Sequence, residues 1–102
     1  MEIHFKTVKL TNLYALPFDE LGKTAYSKEV VLQFKKKIDI MKYVAHINDL
    51  KKFSGLNFEK LKGRVYQDCF SIRVNKQYRI IFKELKNGSI AILILELSKH
   101  YE

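Results

Sequence analysis

The chain has 102 residues, 47% hydrophobic and 29% charged, a length that supports one hydrophobic core and is too short for two. Nineteen Lys and Arg against eleven Asp and Glu leave a formal charge of +8 and a pI near 9.6, which favours a polyanionic partner, nucleic acid first among them. The only cysteine, Cys69, excludes an intrachain disulfide framework or a thiolate metal cluster, and no apolar run approaches the length of a membrane span.

The opening residues, MEIHFKTVKL, lack the long apolar core of a secretory leader, so the expected location is cytoplasmic. Residues 2–8 alternate apolar and polar and are expected to form a strand. A short helix is expected over 9–15, followed by a loop, LPFDELGKTAY, that carries Pro17 and Gly22. Ser27 is placed to cap the longest helix. There Val30, Phe34, Ile38, Met41 and Ala45 recur at helical spacing, and Val31 and Val44 widen the stripe. Lys35, Lys36 and Lys42 fall on the opposite face and are expected to be solvated. A shorter helix is expected near 47–53.

After Gly55 the pattern changes to strands. LNFEKL is a short candidate, and Gly63 marks a bend behind it. DCFSIRV, QYRIIFKEL and SIAILILEL are stronger, being rich in aromatic and β-branched residues. Asn87-Gly88 between the last two is a strong hairpin signal. The expected fold is α+β, one domain over residues 1–102. An N-terminal strand and helices pack as one layer on a C-terminal antiparallel meander sheet.

Strand parity places the charged residues. A three-residue loop, Asn75 to Gln77, aligns Ile72 and Val74 with the apolar set Tyr78, Ile80 and Phe82, and sets Arg73 across from Arg79. Like charges opposed on neighbouring strands cost stability unless something negative lies between them. A two-residue turn at Asn87-Gly88 then puts Arg79 across from Glu96 as a possible ion pair. It assigns Leu93, Leu95 and Leu97 to the core face. Ile92, Ile94, Glu96, Ser98 and His100 join the arginines.

FEKLKG, then FSIRVNKQYRIIF, then a last strand ending in His-Tyr, resembles the HigB branch of the RelE/ParE toxin superfamily over nearly the whole chain. The resemblance implies a RelE-like fold and the toxin of a type II toxin–antitoxin system. It further implies a ribosome-dependent mRNA endonuclease that inhibits translation and works without metal or other cofactor. Its partners would be mRNA on the ribosome and a helix-turn-helix, HigA-like antitoxin, through which it meets operator DNA indirectly. Lys62 matches the lysine of the family's LKG, Arg79 the arginine of QYR, and His100 the histidine near the C-terminus, all functional positions in HigB-like toxins. The match is not complete. Ser98-Lys99 precede His100 where related chains often have Asp-Tyr, Tyr101 follows it, and Glu59 stands where a histidine often precedes LKG.

The chemistry fits those residues. Metal-free transesterification of RNA needs a proton acceptor near neutral pH, a donor for the leaving oxygen and cations where charge develops. Histidine suits proton transfer near neutral pH, and of the three only His100 lies among basic and polar residues, whereas His4 and His46 lie in structural or merely exposed settings. The expected catalytic set is His100, Arg79, Lys62 and Tyr101, the last able to stack on a base or donate a proton. Arg73, Lys99 and Arg64 are expected to contact RNA, with the arginine forks suited to phosphate oxygens. Three scattered histidines and no carboxylate cluster make no metal-ligand set. Two other readings stay open: a ParE-like inhibitor of DNA gyrase, and a non-catalytic basic RNA- or ribosome-binding module.

Overall fold

A computed structural model of the chain describes residues 1–87 and 89–99. The elements run β1 (Glu2–Phe5), α1 (Val8–Ala15), α2 (Lys28–Tyr43), β2 (Glu59–Lys60), β3 (Cys69–Arg73), β4 (Tyr78–Asn87) and β5 (Ser89–Lys99), with 3-10 turns at Phe18–Glu20 and Ile47–Lys52. The five strands form one sheet in the order β1-β5-β4-β3-β2. All neighbours are antiparallel except β1, which lies parallel to β5 on the edge.

Local chemistry explains the element ends. The first strand stops at Phe5 and not at residue 8, because the Thr7 hydroxyl accepts from Leu10 N (3.1 Å) and starts α1. Ser27 caps α2 in the same way, accepting from Val30 N at 3.2 Å. Val30, Phe34, Ile38 and Met41 are buried as the helical spacing requires. Ala45 is not among them: α2 ends at Tyr43, and Ala45 is exposed.

The expected lysine face needs one correction. Lys36 and Lys42 are exposed, but Lys35 turns inward. Its Nζ donates to the carbonyl of Tyr14 (2.9 Å) and to that of Leu16, at the C-terminal end of α1. The last turn of α1 has no basic residue of its own, and its carbonyls take the charge from α2 instead. Partial burial lowers the Lys35 pKa below its ordinary value.

The core lies between the helices and one face of the sheet. Val31, Phe34, Ile38 and Met41 meet Ile72, Ile80, Phe82, Ile92 and Ile94, all fully or almost fully buried. Fully burying a side chain of this size contributes about 1.5–3 kcal/mol. Among the described residues no helix is long and apolar enough to cross a membrane.

The first hairpin has the expected register, with Arg73 paired to Arg79 and Ile72 to Ile80. The Asn75 carboxamide oxygen fixes its loop by accepting from Gln77 N (2.8 Å) and Tyr78 N (2.7 Å). The second hairpin departs from expectation twice. Lys86 pairs with Ile90, one residue away from the register of a two-residue turn; Gly88 itself lies outside the described residues. A bulge between Ile81 and Phe82 then leaves Leu95 as an extra residue on β5.

Together the two steps put Arg79 across from Ser98 and Ile81 across from Glu96, so the Arg79–Glu96 cross-strand pair does not form. Ile92 and Ile94 face the helices, contrary to the expected parity, while Leu93 and Leu95 are only half-buried. Beyond the bulge the expected faces return. Leu97 is in the core, and Glu96 and Ser98 share the arginine side.

Candidate functional site

A row of aromatic rings prepares the site. Phe58 stacks on Phe70 (centroids 5.5 Å apart) and Phe70 on Phe82 (6.0 Å), on the helix side of the sheet. This row, with a backbone bond from Arg73 N to Leu56 O (2.6 Å), aligns the short β2 against β3. Alternation along β2 then turns Glu59 to the opposite face, in register with Ser71.

The result is a cleft at the hairpin end of β3 and β4. It is lined by Asn57, Glu59, Ser71, Arg73, Asn75, Tyr78 and Arg79. Asn57 takes a left-handed conformation (φ 48°), which asparagine tolerates better than most residues, as the chain enters β2. Gly63, with φ 97°, makes the expected bend just after β2.

The charges in the cleft are mismatched. Arg73 is exposed and Arg79 is 21% exposed, and the two are directly opposed across the strands. Glu59 Oε1 lies 3.8 Å from Arg79 Nη1, close enough for attraction and too far for a good hydrogen bond. Arg79 Nε is buried and meets no hydrogen-bond partner among the described residues. Two guanidinium groups, one carboxylate and a buried donor with no partner among the described residues make a pocket that gains from an anion. A phosphodiester has the required oxygens.

Glu59 was not among the residues expected from sequence, although two signals pointed to it. Opposed arginines demanded a nearby carboxylate, and alternation from Phe58 placed Glu59 on their side. Tyr26 was missed as well. Its hydroxyl donates to Leu97 O (2.8 Å), and its ring meets Tyr78 edge-on. Burial pushes the Tyr26 phenol above its ordinary pKa, with Tyr78 and Glu96 adding to the shift, so it stays a hydrogen-bond donor.

Of the expected residues, the structure brings Arg73 and Arg79 together in the cleft. Lys62 and Arg64 are exposed on the segment between β2 and β3 and do not line it. Lys99 is exposed and pairs with Tyr78, which puts it on the helix-side parity, opposite to Arg79. His100 and Tyr101 lie outside the described residues. His4 forms an exposed pair with Glu2 (3.0 Å), and His46 is exposed before the second 3-10 turn. Among the described residues no three His, Cys, Asp or Glu side chains gather as a metal site.

Residues 4–97 match the family model described as the RelE-like toxin of the type II toxin–antitoxin system HigB. The matched span includes Lys62, Arg64, Arg73 and Arg79 and stops before Lys99. Among solved structures the chain is similar in fold to the YoeB/ParE toxin from Agrobacterium tumefaciens. The TM-score is 0.62 at 18% identity, over 99% of this chain and 100% of that one. A search of curated proteins returns no match.

Proposed function

Because the chain belongs to the HigB-like family of RelE-type toxins of type II toxin–antitoxin systems, we propose that it is an endoribonuclease that cuts mRNA on the ribosome. Residues 1–102 act as one toxin domain in the cytoplasm, and cleavage stops translation. A toxin of this type is paired with a protein antitoxin; here that partner is a helix-turn-helix protein of the HigA kind. The toxin meets operator DNA only through it.

One observation carries the catalytic reading: Arg73 and Arg79 are directly opposed at the cleft, their guanidinium groups suit phosphate oxygens, and the buried Arg79 Nε meets no partner among the described residues. In the proposed reaction the ribose 2′-oxygen bonds to the adjacent phosphorus as the bond to the 5′-oxygen breaks. This leaves a 2′,3′-cyclic phosphate and a free 5′-hydroxyl. Arg79 and Arg73 neutralise the charge that develops on the non-bridging oxygens. Glu59, a half-exposed carboxylate in the cleft, is placed to take the 2′-hydroxyl proton or to hold Arg79. His100 and Tyr101 supply the proton to the leaving oxygen and a stacking surface for a base. Lys62, Arg64 and Lys99 hold the RNA backbone as exposed point charges or forks.

The test maps mRNA 5′ ends shortly after induction, comparing a translated transcript with the same transcript lacking its start codon. New ends are expected in the translated copy alone, and Arg79→Ala and His100→Ala are expected to abolish them while remaining folded. Growth arrest with no new ends in either copy would remove the endonuclease reading and make gyrase the next target. Undiminished growth arrest by His100→Ala, with salt-sensitive ribosome binding, would point to a non-catalytic RNA-binding module.

A further inference from the structure

β1 runs beside β5 only from the Glu2–Ala91 pair to the Phe5–Ile94 pair, with a last bond from Lys6 N to Ile94 O (2.9 Å). From Leu95 onward, β5 has β4 on one side and no strand on the other among the described residues. This half-paired stretch starts at the bulge and contains Ser98, the partner of Arg79. Strand ends with a free edge open at low cost. Catalytic groups, in contrast, have to be held to a fraction of an ångström.

Among the described residues, one side-chain hydrogen bond reaches this stretch from outside the sheet. The Tyr26 hydroxyl, from the loop ahead of α2, donates to the Leu97 carbonyl at 2.8 Å across 71 positions of sequence. The Tyr26 ring meets Tyr78 edge-on, with centroids 5.5 Å apart and planes at 76°. Tyr78 lines the cleft and precedes Arg79; Leu97 precedes Ser98. Tyr26 therefore touches both strands, one residue away from the Arg79–Ser98 pair on each.

We infer that Tyr26 is a positioning residue, a bolt that holds the ends of β4 and β5 together so that the Arg79 wall of the cleft keeps its geometry during cleavage. Its kinetic consequence rests on the endonuclease reading above; its structural consequence does not. Tyr26 is not among the residues that line the cleft. It acts through Leu97 and Tyr78.

Tyr26→Phe keeps the ring and removes only the bond to Leu97. Tyr14→Phe is the control, removing a hydroxyl bonded to Asp39 on the surface between α1 and α2, where it lines no part of the cleft. Two quantities are measured after both variants are shown to melt cooperatively. One is amide exchange over residues 95–99. The other is single-turnover cleavage of a translated reporter at varied toxin concentration, which separates the saturating rate from half-saturation. Tyr26→Phe is expected to speed exchange in 95–99 and to lower the saturating rate about tenfold, the worth of one positioned hydrogen bond. Half-saturation should stay unchanged, and Tyr14→Phe should do none of this.

A saturating rate or a 95–99 exchange pattern for Tyr26→Phe that matches Tyr14→Phe overturns the inference. If the wild-type protein does not cleave, the endonuclease reading falls on its own. Exchange then decides for Tyr26: acceleration confined to 95–99 upholds the bolt, and unchanged exchange overturns it.

Discussion

Replacing Arg79 with methionine separates stability from function. The long apolar stem is retained while the guanidinium is lost. Three terms change. A buried N–H without a partner costs about 1–3 kcal/mol, and Arg79 Nε is such a group among the described residues. A like charge directly across the strand costs a few tenths to about 1 kcal/mol, and Arg73 occupies that place. Against these stands the Glu59 pair at 3.8 Å. With Glu59 47% exposed, it contributes at most about 1 kcal/mol after solvent screening. Arg79→Met is therefore expected to be more stable by about 1–2 kcal/mol, a rise in Tm of roughly 5 °C or more for a domain of this size.

Thermal and urea unfolding of the purified proteins would measure this, with and without inorganic phosphate. Phosphate should raise the stability of the wild-type protein, whose cleft gains an anion, and leave Arg79→Met nearly unaffected. If Arg79→Met is instead less stable by about 1 kcal/mol or more, the guanidinium is a satisfied structural strut. The cleft would then be no anion site, whatever the variant does to activity.

Two further expectations test the scaffold. Lys35→Met leaves the Tyr14 and Leu16 carbonyls at the end of α1 without their donor, and should cost about 1–2 kcal/mol in urea unfolding at neutral pH; a neutral result would mean that solvent replaces it fully. Asp49 accepts from His46 N (3.2 Å) and faces Lys52 (3.3 Å); desolvation works to raise its pKa, but these partners outweigh it and hold the carboxyl below its ordinary value. A depressed carboxylate stabilises the folded chain above its unfolded pKa and loses that contribution as pH falls through the folded one. Asp49→Asn should therefore lower stability at neutral pH and converge with wild type in acid, and a gap that stays constant with pH would show that the charge is irrelevant.

Much of the scaffold was legible because its causes are local. Ser27 caps α2 through a bond that reaches three residues, and the stripe from Val30 to Met41 repeats at the helical period. The Arg73–Arg79 opposition was legible for a similar reason. Of a two- and a three-residue loop, only the three-residue one lets the apolar sets of both strands face the same way, and Asn75 supplies the bonds that hold it.

Other features were decided by the packed fold. The run from Ile90 to Leu97 is apolar at almost every position, so alternation carries no parity signal and a one-residue slip is invisible in sequence. Packing against the helices selects Ile92 and Ile94 for the core, and the Leu95 bulge then restores Leu97 to the same side. Lys35 reads as a surface residue until α1 brings its carbonyls alongside. Glu59 reaches Arg79 only because the row of phenylalanine rings seats a two-residue strand against β3. Tyr26 meets Leu97 across 71 positions. Sequence specifies what each segment does over a few residues; which segments meet depends on burial shared by the whole chain, and that sum exists only in the folded structure.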